Sequence, residues 1–598
     1  VNMHLGRLIY NYCKSNIAEF DDKKTFLIVD LMNPGLELIT DESELQNLTN
    51  LNIKAGELAT KKYAFQAAAN YWGAAERIVN NEAAWRDDRL RTLDIVSRAA
   101  ESSCNAGRFE ESKRMCDTVS ARAISISERS PVYFLQVEAL ASRDKLEEAV
   151  DLGISYLREN GEKIPRRPNC GQIASKLARV QLRLLGKSDE DLLSIPPMVD
   201  EAKLFTMRLS EIVSVYSFFS KKQTELSPFL WLHMALITMK YGSNRWTPCA
   251  FSGIGILHSV VGRKESAARF GRLTIRASEV YGSGHVKICA LLAEISYLRH
   301  LKNSIWVQLR PLQQLFTTGM TTGAVSVGLL AELARIQTGV CLGLPLTGIE
   351  KDCKELYKTC VETTKDSIKS IFVPLWQSVI NLKTTRSNPV LMRGEAMKEE
   401  MYIEENSYNI AAMGTMYICK MMLCCFFQDW AGGLKTMKLI PNEIINNISV
   451  HFLGMTLTLH MGLCCILNAK VSKSARRRRL LYQGRQCLSM LRKKAKYGNP
   501  DSAVYVSVLE TELMVATERD IVAIQRKYDS AIGSCRDSGF VHYQGFMNER
   551  AGNMFWENGL LEQSRYYSEE AFRLYEDWEA EGKMNHLHSA IQARSAAA

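Results

Sequence analysis

Apolar residues along this chain recur at helical spacing, in paired stripes separated by short polar breaks. Tyr133, Val137, Leu140 and Ala141 fall at i, i+4, i+7 and i+8, one face of a helix. Ser142-Arg143-Asp144-Lys145 interrupts them, and Leu146, Ala149, Val150, Gly153 and Leu157 form a second stripe. The preceding break, Asn105-Ala106-Gly107-Arg108, lies 37 residues earlier. The same grammar returns near the C-terminal end. Leu509, Leu513 and Ala516 precede Thr517-Glu518-Arg519-Asp520, and Ile521, Ile524, Tyr528 and Ala531 follow. In the last unit Tyr543, Met547, Ala551, Met554 and Phe555 precede Glu557-Asn558-Gly559, after which Leu560, Ser564, Tyr567, Ala571, Leu574 and Trp578 keep the period.

Paired amphipathic helices recurring about every 35 to 40 residues predict an all-α, tetratricopeptide-like α-solenoid of stacked antiparallel helix pairs, curved or closed. Each pair can bury its apolar stripe only against the next. The stretch from Ser194 to Asn388 is less regular, with Pro196-Pro197, Thr247-Pro248 and a glycine-containing run from Gly319 to Gly328. Ala267, Phe270, Leu273 and Ala277 still mark a helix there, and no strand-rich block is expected. The divisions expected are 1–48, a helical connector; 49–193, repeats; 194–499, an irregular middle ending in a basic helix; and 500–598, repeats again, with Asn499-Pro500 the best boundary.

Composition supports this picture. With 598 residues, 46% apolar, 23% charged and only 14 prolines, the chain is too long for one small core and too apolar for disorder. Its net charge of +10 resides in one segment, because Lys473, Arg476, Arg477, Arg478, Arg479, Arg485, Arg492, Lys493, Lys494 and Lys496 are ten cations with no acid among them. As a helix, this segment places cations beside an apolar stripe of Leu480, Leu481, Tyr482, Leu488 and Leu491. It is the one candidate binding site, for an anion or a partner: phosphates of RNA, anionic lipid headgroups or an acidic protein. The plainer reading is a solvated basic face, its charges met by acids of a neighbouring repeat. Interleaved aromatics are few (Tyr482 and Tyr497), which argues against nucleic acid as the partner.

The 16 cysteines are scattered, with no CxxC, and read as small buried hydrophobes of a reduced, cytoplasmic protein. Ile448 to Ala469 is 22 residues without Asp, Glu, Lys or Arg, long enough to span a bilayer. His451, His460, Asn468 and two glycines favour instead a helix buried within the array, so a soluble chain with no transmembrane span is expected.

Catalytic signatures are not found. Gly253-Ile254-Gly255 with Val261-Gly262-Arg263-Lys264 is a poor phosphate loop, since Glu265 stands where Ser or Thr is required. It reads as a helix followed by a turn. His586 with His588, and His451 with His460, lack partners for a metal site. Glu399-Glu400 and Glu404-Glu405 read as a solvated face, and Trp72, Trp246, Trp306, Trp430 and Trp556 as inter-repeat core. No catalytic, cofactor or metal residue is assigned, and no enzyme activity is expected of this segment.

Several fragments, taken in order, resemble the tetratricopeptide-like helical region of multidomain STAND/AAA-type signalling ATPases. They are His4 to Leu8, Leu31 to Gly35, Leu51 to Gly56 with Ala59, Tyr63, Ala64, Ala67 and Ala68, Leu157 to Pro165, Tyr241-Gly242, Arg269 to Leu273, Asp537 to Phe540 with Asn548-Glu549, and Leu574 to Trp578. The resemblance implies a regulatory module. It also implies that an ATPase and winged-helix part, and the ATP it binds, belong to a segment preceding residues 1–48. Protein kinase-like, GAF and histidine kinase or cyclase modules accompany such regions. The expected function is therefore effector sensing and interaction with a protein partner, adjoining domains or a small effector. The rivals are a stand-alone scaffold subunit and an RNA- or lipid-binding protein acting through Lys473 to Lys496.

Overall fold

The computed structural model of the chain describes residues 1–16, 20–62, 64–143, 145–220, 223, 225–363, 365–407 and 409–597. Tyr63 and Asp144 lie outside the described residues. The described residues are helical nearly throughout, and pairing of extended backbone is limited among them to two isolated bridges, Pro197 with Ser243 and Arg393 with Lys398.

The polar breaks are the inter-helix turns. Asn105-Ala106-Gly107-Arg108 separates helix Arg89–Asn105 from helix Phe109–Arg122. Gly107 takes the left-handed φ of 77° that glycine tolerates, and the Arg108 amide donates to the Ser103 carbonyl at 2.8 Å. Ser142 to Lys145 separates helices Ile126–Ser142 and Leu146–Glu159; Thr517 to Asp520 separates Pro500–Thr517 and Ile521–Asp537. Glu557-Asn558-Gly559 separates Val541–Glu557 and Leu561–Asp577. Short polar side chains start many helices: Asp41, Asn81, Ser125 and Asn499 each accept from a backbone amide three residues on.

The repeat period is written into the hydrogen bonds. Side chains bridge positions one repeat apart: Arg7 to Glu44, Tyr71 to Asp30, Gln66 to the Ala106 carbonyl, Arg114 to Glu76 and Arg89 to Glu128, with separations of 37 to 41 residues. Later in the chain Asn468 donates to the Trp430 carbonyl, Arg477 to the Ala516 carbonyl and Tyr567 to Asp529, at separations of 38 or 39. Equivalent positions of successive helix pairs therefore stand side by side. The chain is an all-α helical-repeat protein.

It divides into two compact units, residues 1–167 with 199–217, and residues 168–198 with 218–598. In the first, small residues carry the inner face, including Ala55, Ala59, Ala68, Ala75, Ala99 and Ala100. Gly56 and Gly153 let Trp72 and Val213 come into contact where any Cβ would collide.

The second unit departs from nearest-neighbour stacking. Its main core runs from Ile305 to Leu587 as one cluster. The Ile305 amide donates to Asp501 at 2.8 Å, the Leu346 amide to the Trp578 carbonyl at 3.1 Å and Asn585 to Thr385 at 2.8 Å, joining residues about 200 positions apart. The final repeats thus fold back onto helices Val325–Leu342, Leu346–Glu362 and Asp366–Lys383. The irregular middle is as helical as the rest. Gly319 and Gly328 face each other across helices Leu309–Thr321 and Val325–Leu342, a Cβ on Gly319 falling 2.6 Å from the Gly328 Cα, so this glycine run marks a close crossing.

Helices Val325–Leu342 and Leu453–Val471 have the length and apolar content to cross a bilayer, and 72% and 78% of their apolar windows are buried inside the protein. Both belong to the core of the second unit.

Candidate functional site

The basic segment forms helix Ser474–Lys496, with Lys473 at its N-cap. Leu480, Leu481, Gly484, Cys487, Leu488 and Leu491 are its buried face. Gly484 permits a close approach to helix Leu453–Val471, since a Cβ there would lie 2.5 Å from the Ile466 side chain. Tyr482, expected beside the leucines, points outward and is 61% exposed, because it lies about 100° beyond Leu481 on the wheel.

Three of the ten cations are tied down. Arg492 meets Glu510 at 2.8 Å, Arg477 donates to the Ala516 carbonyl at 2.6 Å, and Lys494 donates to the Ser449 carbonyl at 3.2 Å. Burial, aided by Lys264, pushes the Lys494 ammonium down to about 8. The other seven, Lys473, Arg476, Arg478, Arg479, Arg485, Lys493 and Lys496, are exposed. Among the described residues, Arg492 is the one member of the ten with an ion pair to an acid.

A second polar constellation was invisible in the sequence. Helices Pro500–Thr517, Val541–Glu557 and Glu581–Ala597 place two ion pairs inside the second unit. Arg550 pairs with Glu512 at 3.1 Å and Lys583 with Glu549 at 2.7 Å, all four side chains at most 6% exposed. Tyr528 donates to Glu512 at 3.1 Å, while Tyr575 and Gln428 donate to Glu549, each at 2.6 Å. Burial pushes the Glu549 carboxyl up; Lys583 and Tyr575 outweigh it and hold the group below the ordinary carboxylate value. Every carboxylate oxygen of Glu512 and Glu549 has a donor. The arrangement is a buried tie between repeats, with no carboxylate held ready for acid–base work.

Most thiols are enclosed as well. Thirteen of the sixteen cysteines are buried. Burial pushes the Cys419 thiol up to about 12 and Cys425, whose sulfur lies 3.7 Å from that of Cys464, well above its usual value. His460, bonded to Tyr543 at 3.0 Å, and His542 are each pushed down to about 3 by burial, so both are neutral near pH 7. His586 packs against Phe427 and Lys583, and His588 bonds Gln592.

The remaining sequence candidates have structural roles. Gly253 and Gly255 lie within helix Thr247–Val260, packed against Trp231 and Leu298, with the turn at Gly262 following. Glu399 is more engaged than a solvated face implies, pairing with Lys420 at 2.6 Å, whereas Glu400, Glu404 and Glu405 are exposed. Trp72 and Trp246 are buried; Trp306 is 37% exposed and donates to the Ser538 carbonyl at 3.0 Å. In the first unit a cavity of about 260 Å³ is lined by Arg7, Tyr10, Lys14, Asp41 and Glu44. Its guanidinium is already paired, since Arg7 meets Glu44 through Nε and one Nη.

No family model matches the chain. Over 390 residues it is 20% identical to hybrid signal transduction histidine kinase G of Dictyostelium discoideum, covering 60% of this chain and 11% of that protein. The chain thus spans about a tenth of the length of the curated relative it matches. Among solved structures, yeast Tom70 is 9% identical, with 93% of this chain and 97% of that chain covered, at a TM-score of 0.19.

Proposed function

We propose that this chain is a non-catalytic interaction and effector-sensing module of a multidomain signal-transduction ATPase, regulating adjoining nucleotide-binding or kinase domains. The observation that carries this reading is the repeat-to-repeat register of the helix pairs, the architecture with which helical-repeat proteins receive a protein partner, an adjoining domain or a small effector. The signalling context is supported by the fragments resembling the STAND/AAA region and by the relative, whose printed name is that of a hybrid histidine kinase and of which this chain spans a small part. Regulation requires only that the partner bind one state of the adjoining domain more tightly than the other.

The test is the parent reading frame and its chemistry. A nucleotide-binding domain encoded beside residues 1–598 is expected, with its ATP turnover or phosphorylation changed on deleting the repeats. A frame without such a domain overturns the reading in favour of a scaffold subunit. Turnover of ATP by the purified repeats overturns the non-catalytic assignment.

A further inference from the structure

The solvent face of helix Ser474–Lys496 calls for an occupant beyond these 598 residues. We infer that this face docks the chain on an anionic lipid bilayer. The inference stands independently of the signalling role proposed above.

Its geometry is a fixed consequence of the helical repeat. With Leu480, Leu481, Gly484, Leu488 and Leu491 buried, a rotation of 100° per residue puts Arg478, Arg479, Tyr482, Arg485, Lys493 and Lys496 on the opposite side. They span 18 residues, about 27 Å at 1.5 Å per residue. No acid lies on the helix, and the chain's whole excess of +10 is concentrated there. Because the leucine face is anchored in the protein's own core, the cations are held on a rigid element.

Folding stability accounts for only part of them: Lys493 and Lys496 lie in the last turn, where the helix dipole favours cations, but the arginines do not. Lys473, Arg476 and Arg477 crowd the N-terminal end of the helix, where the backbone dipole is positive and cations are disfavoured. Neighbouring repeats could have supplied acids, as Glu510 does for Arg492, but the seven exposed cations have none among the described residues. The charge complement is therefore an anion from outside.

Three features favour a bilayer over a folded acidic partner or RNA. The cations spread over a wide arc of a convex helix, which suits mobile headgroups that can gather beneath each charge better than one fixed array of acids. Tyr482, Met490 and Tyr497 are 61%, 48% and 41% exposed among them; tyrosines prefer the headgroup layer, with an apolar ring and a polar tip. Two tyrosines so far apart along the helix make a poor stacking platform for bases.

The test uses the full chain and vesicles of phosphatidylcholine with or without about 30% phosphatidylserine, at about 0.1 M and about 0.5 M salt. Co-sedimentation with the anionic vesicles alone, lost at high salt, is expected. Replacing Arg478, Arg479 and Arg485 by Gln should weaken binding roughly fivefold per cation, about 100-fold together. The single variants supply the slope should the triple variant misfold. Tyr482→Ala should cost a smaller, salt-insensitive factor. A charge-matched control replaces Lys351, Lys358 and Arg565, whose side chains are 75%, 77% and 81% exposed elsewhere in the second unit; it should bind as the parent does. Equal loss in the control, no vesicle binding at low salt, or binding to RNA or an acidic protein with none to vesicles would each overturn the inference.

Discussion

Residues 1–167 and residues 325–597 share one period and use it in opposite ways. In the first stretch, bonds between repeats include surface ion pairs and amides, such as Arg122 with Glu82 and Arg108 with Asn70, over a core rich in small side chains. In the second, one bond a period apart is Arg550 with Glu512, enclosed in the core, and contacts at roughly five to six times that separation fold the last repeats back onto earlier ones. The first arrangement should behave as a sum of neighbouring terms. The second should be cooperative, because removing one helix exposes charges as well as apolar surface.

Acid should separate the two most strongly. Of ten histidines, His4 alone lies in the first unit. In the second, His460 and His542 are buried and each pushed down to about 3. Their folded values lie below the unfolded value of about 6.5, so the unfolded chain takes up protons first and stability falls as pH drops from there toward 3. Between pH 7 and 5 each such group should cost about 2 kcal/mol. Hydrogen exchange read peptide by peptide should show protection lost from 325–597 while 1–167 holds. Equal loss in both would defeat the cooperative reading.

Next in size is the buried tie. Lys583→Met leaves Glu549 charged and enclosed, which should cost about 3–5 kcal/mol in a urea titration. Adding Glu549→Gln should return much of that loss, since no charge is then stranded. A single variant that unfolds no more easily than the parent would show the pair to be solvated.

How far these contrasts could be read from the chain depends on their range. The helix pairs, their turns and their stripes were legible because they are local: Gly107 and Gly559 end helices where the apolar period stops, and Ala267, Phe270, Leu273 and Ala277 face inward as their spacing requires. The basic helix was legible too, as a run of like charge. The closure was not. Glu512, Glu549, Arg550 and Lys583 look like any charges on a helix, and nothing local tells Lys583, wholly buried, from Lys493, exposed. The fragment Asn548-Glu549 was noted only for its resemblance, and Gly319 to Gly328 looked like irregular chain because a close crossing needs the second helix to be seen. Tyr482 was misplaced for a simpler reason: a stripe drawn by residue type passed over one position that the helical angle sends outward.

A glycine pair gives a finer test at matched chemistry. Gly107 and Gly343 both sit at helix ends with left-handed φ, 77° and 72°. A Cβ on Gly107 meets nothing within 4 Å, whereas one on Gly343 would collide with the His542 ring. Gly107→Ala should cost only the backbone penalty, about 1–2 kcal/mol. Gly343→Ala adds overpacking of about 1–3 kcal/mol, because His542 is held by Phe426 and Trp578 and cannot give way freely. Similar midpoints for the two variants would mean that the fold-back is loose at this point.

The smallest effect is expected on the surface ladder of the first unit. Arg122 and Glu82 are 41% and 82% exposed, so water and salt already screen their attraction and ordering two side chains offsets much of it. A double-mutant cycle on Arg122→Ala and Glu82→Ala should give a coupling barely above error at low salt and none at about 0.5 M salt. The same cycle on Arg550 and Glu512 should give a large coupling that salt does not reach, because both side chains are enclosed. The ratio of the two couplings measures how differently one repeat spacing is stabilised in the two regions. A ratio near one would mean that burial in the second unit contributes nothing beyond what the surface pairs supply.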